Sequence, residues 1–257
     1  MELKMRLEAA MEAARLAGDM ILANRPETVS RKGRNDFVTE MDVRSETTIR
    51  EYLLSRFPGD AFLGEEGGES GSGKYEWIVD PIDGTTNYIK GLPCYTVSIG
   101  LSVDGVWSAG CVYAPNMGEM FSAMLGGGAY LNGKKIQVSG EDDLHLAVVG
   151  MSFAHRNAQC AARMMRLLPD LTGNTNDLRR MGSAAYDLCC VAAGRLDAFM
   201  ELILNPYDIA AGTVIAREAG AIVGGWDENE DFQTTGNILA ASPALFAPLR
   251  QLAASSK

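Results

Sequence analysis

The residues best suited to chemistry lie at positions 80–87, which read Asp-Pro-Ile-Asp-Gly-Thr-Thr-Asn and follow the apolar stretch 77–79. Two carboxylates stand three positions apart, a proline fixes the backbone between them, and a glycine permits a sharp turn. If a helix begins at Thr85, its free N–H groups lie beside these carboxylates, so that metal ligands adjoin an anion-binding helix end. The pattern indicates either a metal site that holds a phosphate or a strand and turn with an aspartate cap.

Further acids favour the metal site. Glu65 closes a short apolar run, Asp208 stands at the start of a predicted helix, and Asp42 opens another. Each acid alone is typical of a helix cap or a solvated surface. Together with Asp80 and Asp83 they supply enough carboxylates for two or three hard divalent cations. Their separation along the chain leaves open whether they converge.

The composition restricts the class of protein. The chain has 257 residues, 47% hydrophobic and 22% charged, which suits one globular unit or two intimate subdomains. A net charge of -10 without a Lys/Arg cluster predicts no nucleic-acid partner. Five cysteines, an odd number without a CxxC pair, favour a reducing compartment and hence the cytoplasm. No apolar run reaches the roughly 18–20 residues that span a bilayer, so we expect no membrane partner.

The elements that must position these acids alternate between helix and strand. The Asp104-Gly105 hairpin signal and this alternation predict layered sheets and helices rather than a purely parallel sheet. Polar residues 139–143 predict a boundary between an N-terminal subdomain, 1–140, with most metal ligands, and a C-terminal subdomain, 141–257, with the last metal aspartate and the substrate pocket. We predict helices over 2–24, 42–56, 156–168, 183–193, 208–219 and at the C-terminal end. We predict strands at 61–64, 77–79, 94–103, 106–113, 119–125, 146–151, 196–203 and 236–240. A mobile loop is predicted at 69–74 and a turn at 80–87.

These motifs, in this order, resemble the inositol monophosphatase family over essentially the whole chain. The matching segments are Gly64-Glu65-Glu66, residues 77–85, residues 207–212, and Lys32 followed by residues 36–39 and Asp42. The resemblance implies an α+β fold, a layered αβαβα sandwich of the sugar-phosphatase type with mixed sheets, together with magnesium dependence, lithium sensitivity and a homodimer. The family usually has Trp before the last metal aspartate, whereas this chain has Tyr207.

The resemblance also implies a role for each matching residue. The metal ligands would be Glu65, Asp80, the Ile82 carbonyl, Asp83 and Asp208, which together hold two or three Mg²⁺ ions. The catalytic group would comprise Glu65, Thr85 and Asp42, with Thr85 and Asp42 orienting the attacking water. The substrate would contact Gly84, Thr85, Ala184 and Glu201, and Lys32 would be an accessory residue.

The predicted function is magnesium-dependent hydrolysis of a small phosphate monoester, inositol 1-phosphate, by metal-activated water. Relatives with this metal core also act on fructose 1,6-bisphosphate, 3'-phosphoadenosine 5'-phosphate and histidinol phosphate, and these substrates stay open. A non-catalytic, metal-binding regulatory module is the alternative from a different class.

One rival mechanism has its sequence pattern here. Cys160 with Arg166, and Cys189 with Arg195, have the Cys-x5-Arg spacing of thiolate phosphatases. That mechanism needs a glycine-rich loop around the phosphate, whereas both cysteines lie in segments predicted to be helical. The only histidines, His145 and His155, are predicted to be surface residues outside any triad or zinc site, and the acidic run 227–231 is predicted to be a solvated loop.

Overall fold

The computed structural model describes residues 1–33 and 36–256, and of Asp36 the backbone alone. The helices within this part are α1 (Glu2–Ala23), α2 (Glu40–Arg56), α3 (Thr85–Lys90), α4 (Ala158–Asn174), α5 (Ala184–Ala192), α6 (Pro206–Glu218), α7 (Phe232–Thr235) and α8 (Pro243–Ser255). The strands are β1 (Val29–Gly33), β2 (Asp36–Thr39), β3 (Ala61–Gly64), β4 (Gly68–Ser70), β5 (Tyr75–Asp83), β6 (Thr96–Val103), β7 (Val106–Ala114), β8 (Glu119–Met124), β9 (Gly128–Leu131), β10 (Lys134–Ile136), β11 (Val148–Met151), β12 (Asp177–Arg179), β13 (Ala198–Glu201), β14 (Ile222–Gly224) and β15 (Ile238–Ala241).

Two mixed sheets form the framework. The larger has eight strands in the order β10-β9-β8-β7-β6-β5-β3-β4, and all its neighbours are antiparallel except the parallel pair β3 and β5. The smaller has five strands in the order β12-β11-β13-β15-β14, with β11 parallel to both β12 and β13. Strands β1 and β2 form a separate two-stranded antiparallel sheet. The larger sheet uses residues 61–136 and the smaller one 148–241.

The buried apolar residues fall into three clusters that stack the elements in five layers. The first joins α1 and α2 to one face of the larger sheet. The second joins the opposite face of that sheet to α5, α6 and the inner face of the smaller sheet. The third joins the outer face of the smaller sheet to α4 and α8. Alternate residues of one strand enter different clusters, as the period of two requires: Ile78 packs in the second, and Trp77 and Val79 pack in the first. The predicted αβαβα sandwich with mixed sheets is confirmed.

Helix α6 lies unusually close to the larger sheet because two glycines face it. A Cβ atom on Gly110 would lie 2.6 Å from Ala211 Cα, and one on Gly100 would lie 2.9 Å from Ala210 Cβ. A side chain at either glycine would push the helix away, because interiors leave no room for an added methyl group. Since Asp208 stands in the first turn of α6, these contacts set its distance from β5.

The predicted elements are largely confirmed, with three corrections. Residues 80–87 do not form a simple turn: β5 continues through Asp83 and α3 begins at Thr85. The segment predicted as a mobile loop contributes its first residues to the edge strand β4, which pairs with β3. In α2, the spacing of Val43, Ile49, Leu53 and Phe57 predicts one apolar face, but Val43 is exposed and Glu46 lies buried in line with Ile49 and Leu53. The division at residues 139–143 stays a prediction. No helix in residues 1–33 and 36–256 is long and apolar enough to cross a membrane.

Candidate metal and phosphate site

Three aspartates from two elements converge at the end of β5. Carboxylate oxygens of Asp80, Asp83 and Asp208 lie within 4.8 Å of one another, and all three residues are buried. In a regular strand, residues three apart point to opposite faces. Here the pairing of β5 with β6 changes register between Asp80 and Asp83, so that both side chains reach one point. The local break in the strand therefore creates the cluster.

Neutral donors hold each of these carboxylates in place. Asp83 Oδ2 accepts hydrogen bonds from the Ser183 hydroxyl and the Ala185 N–H, both at 2.7 Å. Asp208 Oδ2 accepts one from the Asn205 N–H at 2.6 Å, and Asp80 Oδ1 accepts one from the Ile82 N–H at 3.0 Å. Hydroxyl and amide groups orient the carboxylates but leave their negative charges in place.

The electrostatics of this cluster suit a divalent cation. Burial raises the pKa of Asp80 well above its ordinary value, and the neighbouring carboxylates Glu65 and Asp83 raise it further. Burial likewise raises the pKa of Asp83 to about 6 and that of Asp208 well above its usual range. Buried, mutually repelling oxygen ligands are the donor set that Mg²⁺ takes, and a bound cation would reverse the repulsion. The residues present fit the predicted metal.

Thr85 connects this cluster to a second buried acid. Its hydroxyl lies 3.0 Å from both Asp42 Oδ1 and the Ile82 carbonyl, so it can donate to either. Asp42 is fully buried behind Thr85, where its other oxygen accepts bonds from the Thr39 N–H at 2.8 Å and the Thr39 hydroxyl at 2.6 Å. This capping arrangement at the start of α2 fixes Asp42. Burial raises the pKa of Asp42 to about 6.

Glu65 lies on the same pocket wall, on the turn after β3. Lys32 Nζ is 3.1 Å from Glu65 Oε1 and 2.5 Å from Glu66 Oε1, so the predicted accessory lysine contacts a predicted metal ligand. The turn itself is held from behind by Glu46, whose carboxylate accepts the N–H groups of Glu66 and Gly67, both at 2.8 Å. Glu46 was missed by the sequence analysis. Its position three residues before Ile49 on the buried face of α2 was the available signal.

The opposite wall of the pocket comes from the C-terminal half of the chain. Strands β11 and β13 are parallel, and the residues that follow them lie side by side, as the carboxyl ends of parallel strands do. Glu201 ends β13, accepts a hydrogen bond from Ser152, and has its pKa raised to about 7 by burial. Ala184 opens α5, directly after the Ser183 that holds Asp83.

The predicted residues therefore largely share one pocket. Lys32 and Asp42 contact it from behind, and their roles, like those of the lining residues, stay predictions. His145 and His155 are both exposed as predicted, but His155 lines the pocket as well. The predicted residues that line the pocket are Glu65, Asp80, Ile82, Asp83, Gly84, Thr85, Ala184, Glu201 and Asp208. Five polar residues that were not predicted also line it: Ser152, Arg156, Arg180, Ser183 and Asp187.

Known proteins resemble this chain over nearly its full length. It is 42% identical over 244 residues to the Nus factor SuhB of Vibrio cholerae, covering 92% of this chain and 91% of the relative. The structure of the extragenic suppressor protein suhB from Bartonella henselae matches with a TM-score of 0.93 at 34% identity, covering 96% of this chain and 98% of that one. The inositol monophosphatase from Anabaena (Nostoc) sp. PCC 7120 matches with a TM-score of 0.88 at 33% identity, covering 99% and 97%.

The family assignment follows from the match of this chain to a family model. The model of the inositol monophosphatase family matches residues 2–256. The segments that match include the β5 and α6 motifs whose aspartates converge in the structure. This chain belongs to the inositol monophosphatase family.

Proposed function

We propose that this protein is a magnesium-dependent phosphatase that hydrolyses a small phosphate monoester, inositol 1-phosphate, to inositol and phosphate. The observation that carries the proposal is the convergence of Asp80, Asp83 and Asp208 beside Thr85 at the start of α3. Membership of the family supports the same class of reaction.

In this proposal Mg²⁺ ions are held by Glu65, Asp80, the Ile82 carbonyl, Asp83 and Asp208. When bound, Mg²⁺ supplies Lewis acidity to the phosphoryl oxygens and to the attacking water. The backbone N–H groups at the start of α3 donate to the phosphate. Gly84 lets that backbone approach: its φ is +96°, and a Cβ there would lie 3.1 Å from the carbonyl oxygens of both Cys94 and Gly182.

Thr85 has the geometry to orient the water. Since its hydroxyl proton is directed to Asp42 or to the Ile82 carbonyl, the lone pairs on Oγ1 are left to accept a hydrogen bond from water. Asp42 holds that hydroxyl from behind and is itself held by Thr39. A water fixed in this way is ready for in-line attack on phosphorus, while Glu201 on the opposite wall accepts hydrogen bonds from the leaving alcohol.

The test is phosphate release from inositol 1-phosphate by chelator-treated protein, with Mg²⁺ then added back. We expect no turnover in EDTA and full recovery on adding Mg²⁺. Without a bound cation the buried carboxylates repel the negatively charged phosphate. Full turnover in chelator would contradict the proposal. A panel at fixed Mg²⁺ with fructose 1,6-bisphosphate, 3'-phosphoadenosine 5'-phosphate and histidinol phosphate identifies the preferred ester.

A regulatory binding role is the second candidate, because similar proteins carry the name Nus factor SuhB, which does not describe a phosphatase. That name also leaves the prediction of no nucleic-acid partner without support. The same panel separates the two candidates. A folded protein that turns over no ester at saturating Mg²⁺ would favour the regulatory role, whereas magnesium-dependent turnover establishes catalysis whatever else the protein binds.

A further inference from the structure

A strained isoleucine stands on the pocket wall and has no part in the chemistry described so far. Ile203 follows β13 by two residues and has a φ of +57°. β-branched residues rarely adopt this left-handed conformation, because it brings the Cβ atom too close to the following carbonyl oxygen. Such strain persists only where the surrounding structure imposes it, and it is concentrated at functional sites. The conformation of Ile203 therefore points to a function that outweighs its cost.

Two hydrogen bonds and one glycine impose this conformation. The Ile203 N–H donates to Asn237 Oδ1 at 3.0 Å, and the Leu204 N–H donates to the Gly236 carbonyl at 3.0 Å. A Cβ on Gly236 would overlap the Leu204 carbonyl oxygen, so only glycine permits this approach. Glu230 holds Asn237 in turn, because its carboxylate accepts from the Asn237 amide at 2.6 Å. The turn after α7 thus fixes Ile203 on the pocket wall.

The apolar core does not account for Ile203. Its neighbours Leu202 and Leu204 pack into the third and the second apolar cluster respectively. Within residues 1–33 and 36–256, Ile203 belongs to none of the three clusters, and it is 39% exposed. An apolar side chain that is both strained and left in water is unfavourable on both counts, so packing within the chain does not explain it.

Ile203 instead lines the pocket that holds the metal cluster. Glu201, on the same wall, is two residues away, which is at most about 7 Å along the chain. Ile203 also borders a neighbouring cavity beside Cys160 of α4, so it forms the ridge between the two. The wall therefore presents a carboxylate and, next to it, an exposed apolar side chain to whatever enters the pocket.

We infer that Ile203 is a specificity-determining residue whose side chain contacts the C–H face of a ring alcohol in the leaving group. A cyclic polyol carries hydroxyl groups around its edge and C–H bonds on its faces, so it can bind Glu201 and Ile203 together. The substrate class is then a phosphate ester of a ring alcohol rather than of a short acyclic one. This inference rests on the proposed phosphatase function and adds which alcohols the wall selects.

The test compares three esters of secondary alcohols. Inositol 1-phosphate and cyclohexyl phosphate share a six-membered ring, which has hydroxyl groups in the first and none in the second, whereas glycerol 2-phosphate has no ring. Ile203→Asn and Ile203→Gly both remove the apolar side chain and introduce residues that adopt a positive φ readily. We expect kcat/KM for the two ring esters to fall by about 10-fold, and that for glycerol 2-phosphate to change by less than about twofold.

The melting temperature separates this role from a structural one. Since Asn and Gly relieve the strain, we expect the Tm of both variants to rise or to stay within about 2 °C of that of the unaltered protein. The matched control is Ile222→Asn, which makes the same change at the 43% exposed isoleucine of the edge strand β14 and should alter none of the three rates.

Equal loss on all three esters, or a larger fall in Tm, would overturn the inference, because Ile203 would then support the fold or the metal cluster. No loss on the ring esters would overturn it too, and would assign the side chain to the neighbouring cavity. In either case magnesium-dependent turnover by the unaltered protein would leave the proposed function in place. Absence of such turnover for all three esters would overturn the proposed function and this inference with it.

Discussion

At the metal end of the pocket, Asp80, Asp83 and Asp208 are buried among carboxylates and held by neutral donors. At the leaving-group end, burial raises the pKa of both Asp187 and Glu201, the charge of Asp83 raises it further, and Arg180 opposes part of that rise. The chain itself thus offsets part of the negative charge at this end, as Lys32 does for Glu65 at the metal end. At the metal end, the charges that act most strongly on Asp80 are all those of further acids, and each raises its pKa.

This difference suggests two uses of buried acids. Carboxylates that repel one another are poised to take a cation from solution, and the fold tolerates the repulsion because backbone and hydroxyl donors fix each group. Carboxylates with an arginine nearby have part of their charge opposed by the chain and are better suited to receive neutral hydrogen-bond donors. Changes at the metal end should therefore affect every substrate, whereas changes to Glu201 at the leaving-group end should affect only substrates with hydroxyl groups.

The largest expected effect comes from removing one charge at the metal end. Asp83→Asn and Asp208→Asn should each lower kcat by about two to four decades for inositol 1-phosphate and cyclohexyl phosphate alike, because the metal and the attacking water are both weakened. Initial rates at saturating Mg²⁺, with circular dichroism to verify the fold, provide the measurement. The exposed Glu228→Gln serves as control. A folded variant with near-normal rates would remove that residue from the metal site.

A smaller effect should follow from changing Glu46, whose carboxylate holds the turn that carries Glu65. Glu46→Gln places an amide group against one of the two N–H donors of Glu66 and Gly67, so the turn shifts and Glu65 with it. We expect the Mg²⁺ concentration for half-maximal rate to rise by about 10- to 100-fold while kcat at saturation largely recovers.

Magnesium titrations of Glu46→Gln measure both the Mg²⁺ concentration for half-maximal rate and kcat at saturation. Glu51→Gln, at an exposed position on the same helix, is the matched control. A fall in kcat with unchanged magnesium dependence would show that Glu46 does not act through the metal ligand.

The same contrast explains what the sequence could predict. The metal end is encoded by a short local motif. Asp80 and Asp83 supply the carboxylates, and the proline and glycine on either side of Asp83 shape the backbone that carries them. The convergence of Asp208 with them depends on α6 packing against Gly100 and Gly110, and no local pattern reveals that contact. The place of Asp208 in the metal site was predicted from the resemblance to a family and not from the spacing of residues.

The leaving-group end was harder to predict because its residues come from separate segments. Asp187 lies inside a helix among apolar residues, so its sequence context gives no sign of a role in the pocket. Ser152 and Arg180 lie in loops. Glu46 was missed for a related reason. A glutamate on a helix is usually solvated, and apart from Arg50 at 3.4 Å on the same helix its partners are N–H groups of the turn after β3, about twenty residues along the chain. Residues whose partners are distant in sequence carry no local signature.

A further prediction concerns pH and the stability of the metal-free protein. Burial raises the pKa of Asp83 and of Asp42 to about 6, so the folded state binds these protons more tightly than the unfolded chain. Their contribution to the free energy of unfolding is thus present below about pH 4 and is lost as pH rises through about 6.

Added Mg²⁺ should consequently raise the Tm more at pH 8 than at pH 5. At a concentration of about 100 times the Kd, the shift at pH 8 should be roughly 5–10 °C. Melting curves with and without Mg²⁺ at the two pH values measure it, and Ca²⁺-free buffers with matched ionic strength are the control. An equal shift at both pH values would contradict a site made of these carboxylates.

The smallest effect should come from the cysteines, whose changes leave both ends of the pocket untouched. Cys189 is fully buried in α5, where burial raises the pKa of its thiol, and Arg195 is paired with Glu119 at 2.6 Å. Cys160 lies in α4, and its spacing partner Arg166 donates to the Ser256 carbonyl at 3.0 Å. Neither arginine is directed at a phosphate beside its cysteine, as a thiolate mechanism requires.

Cys160→Ser and Cys189→Ala should therefore keep kcat within about twofold on either ester. Alanine is the better replacement at Cys189, because a serine hydroxyl in that apolar layer would be buried without a partner. Acid-quenched turnover mixtures analysed by mass spectrometry should show no phosphate on any cysteine. A phosphocysteine, or a folded but inactive variant, would revive the thiolate mechanism and move the chemistry away from both ends of the pocket. The Asp83→Asn variant, assayed in parallel, shows that a true loss of activity is detectable under the same conditions.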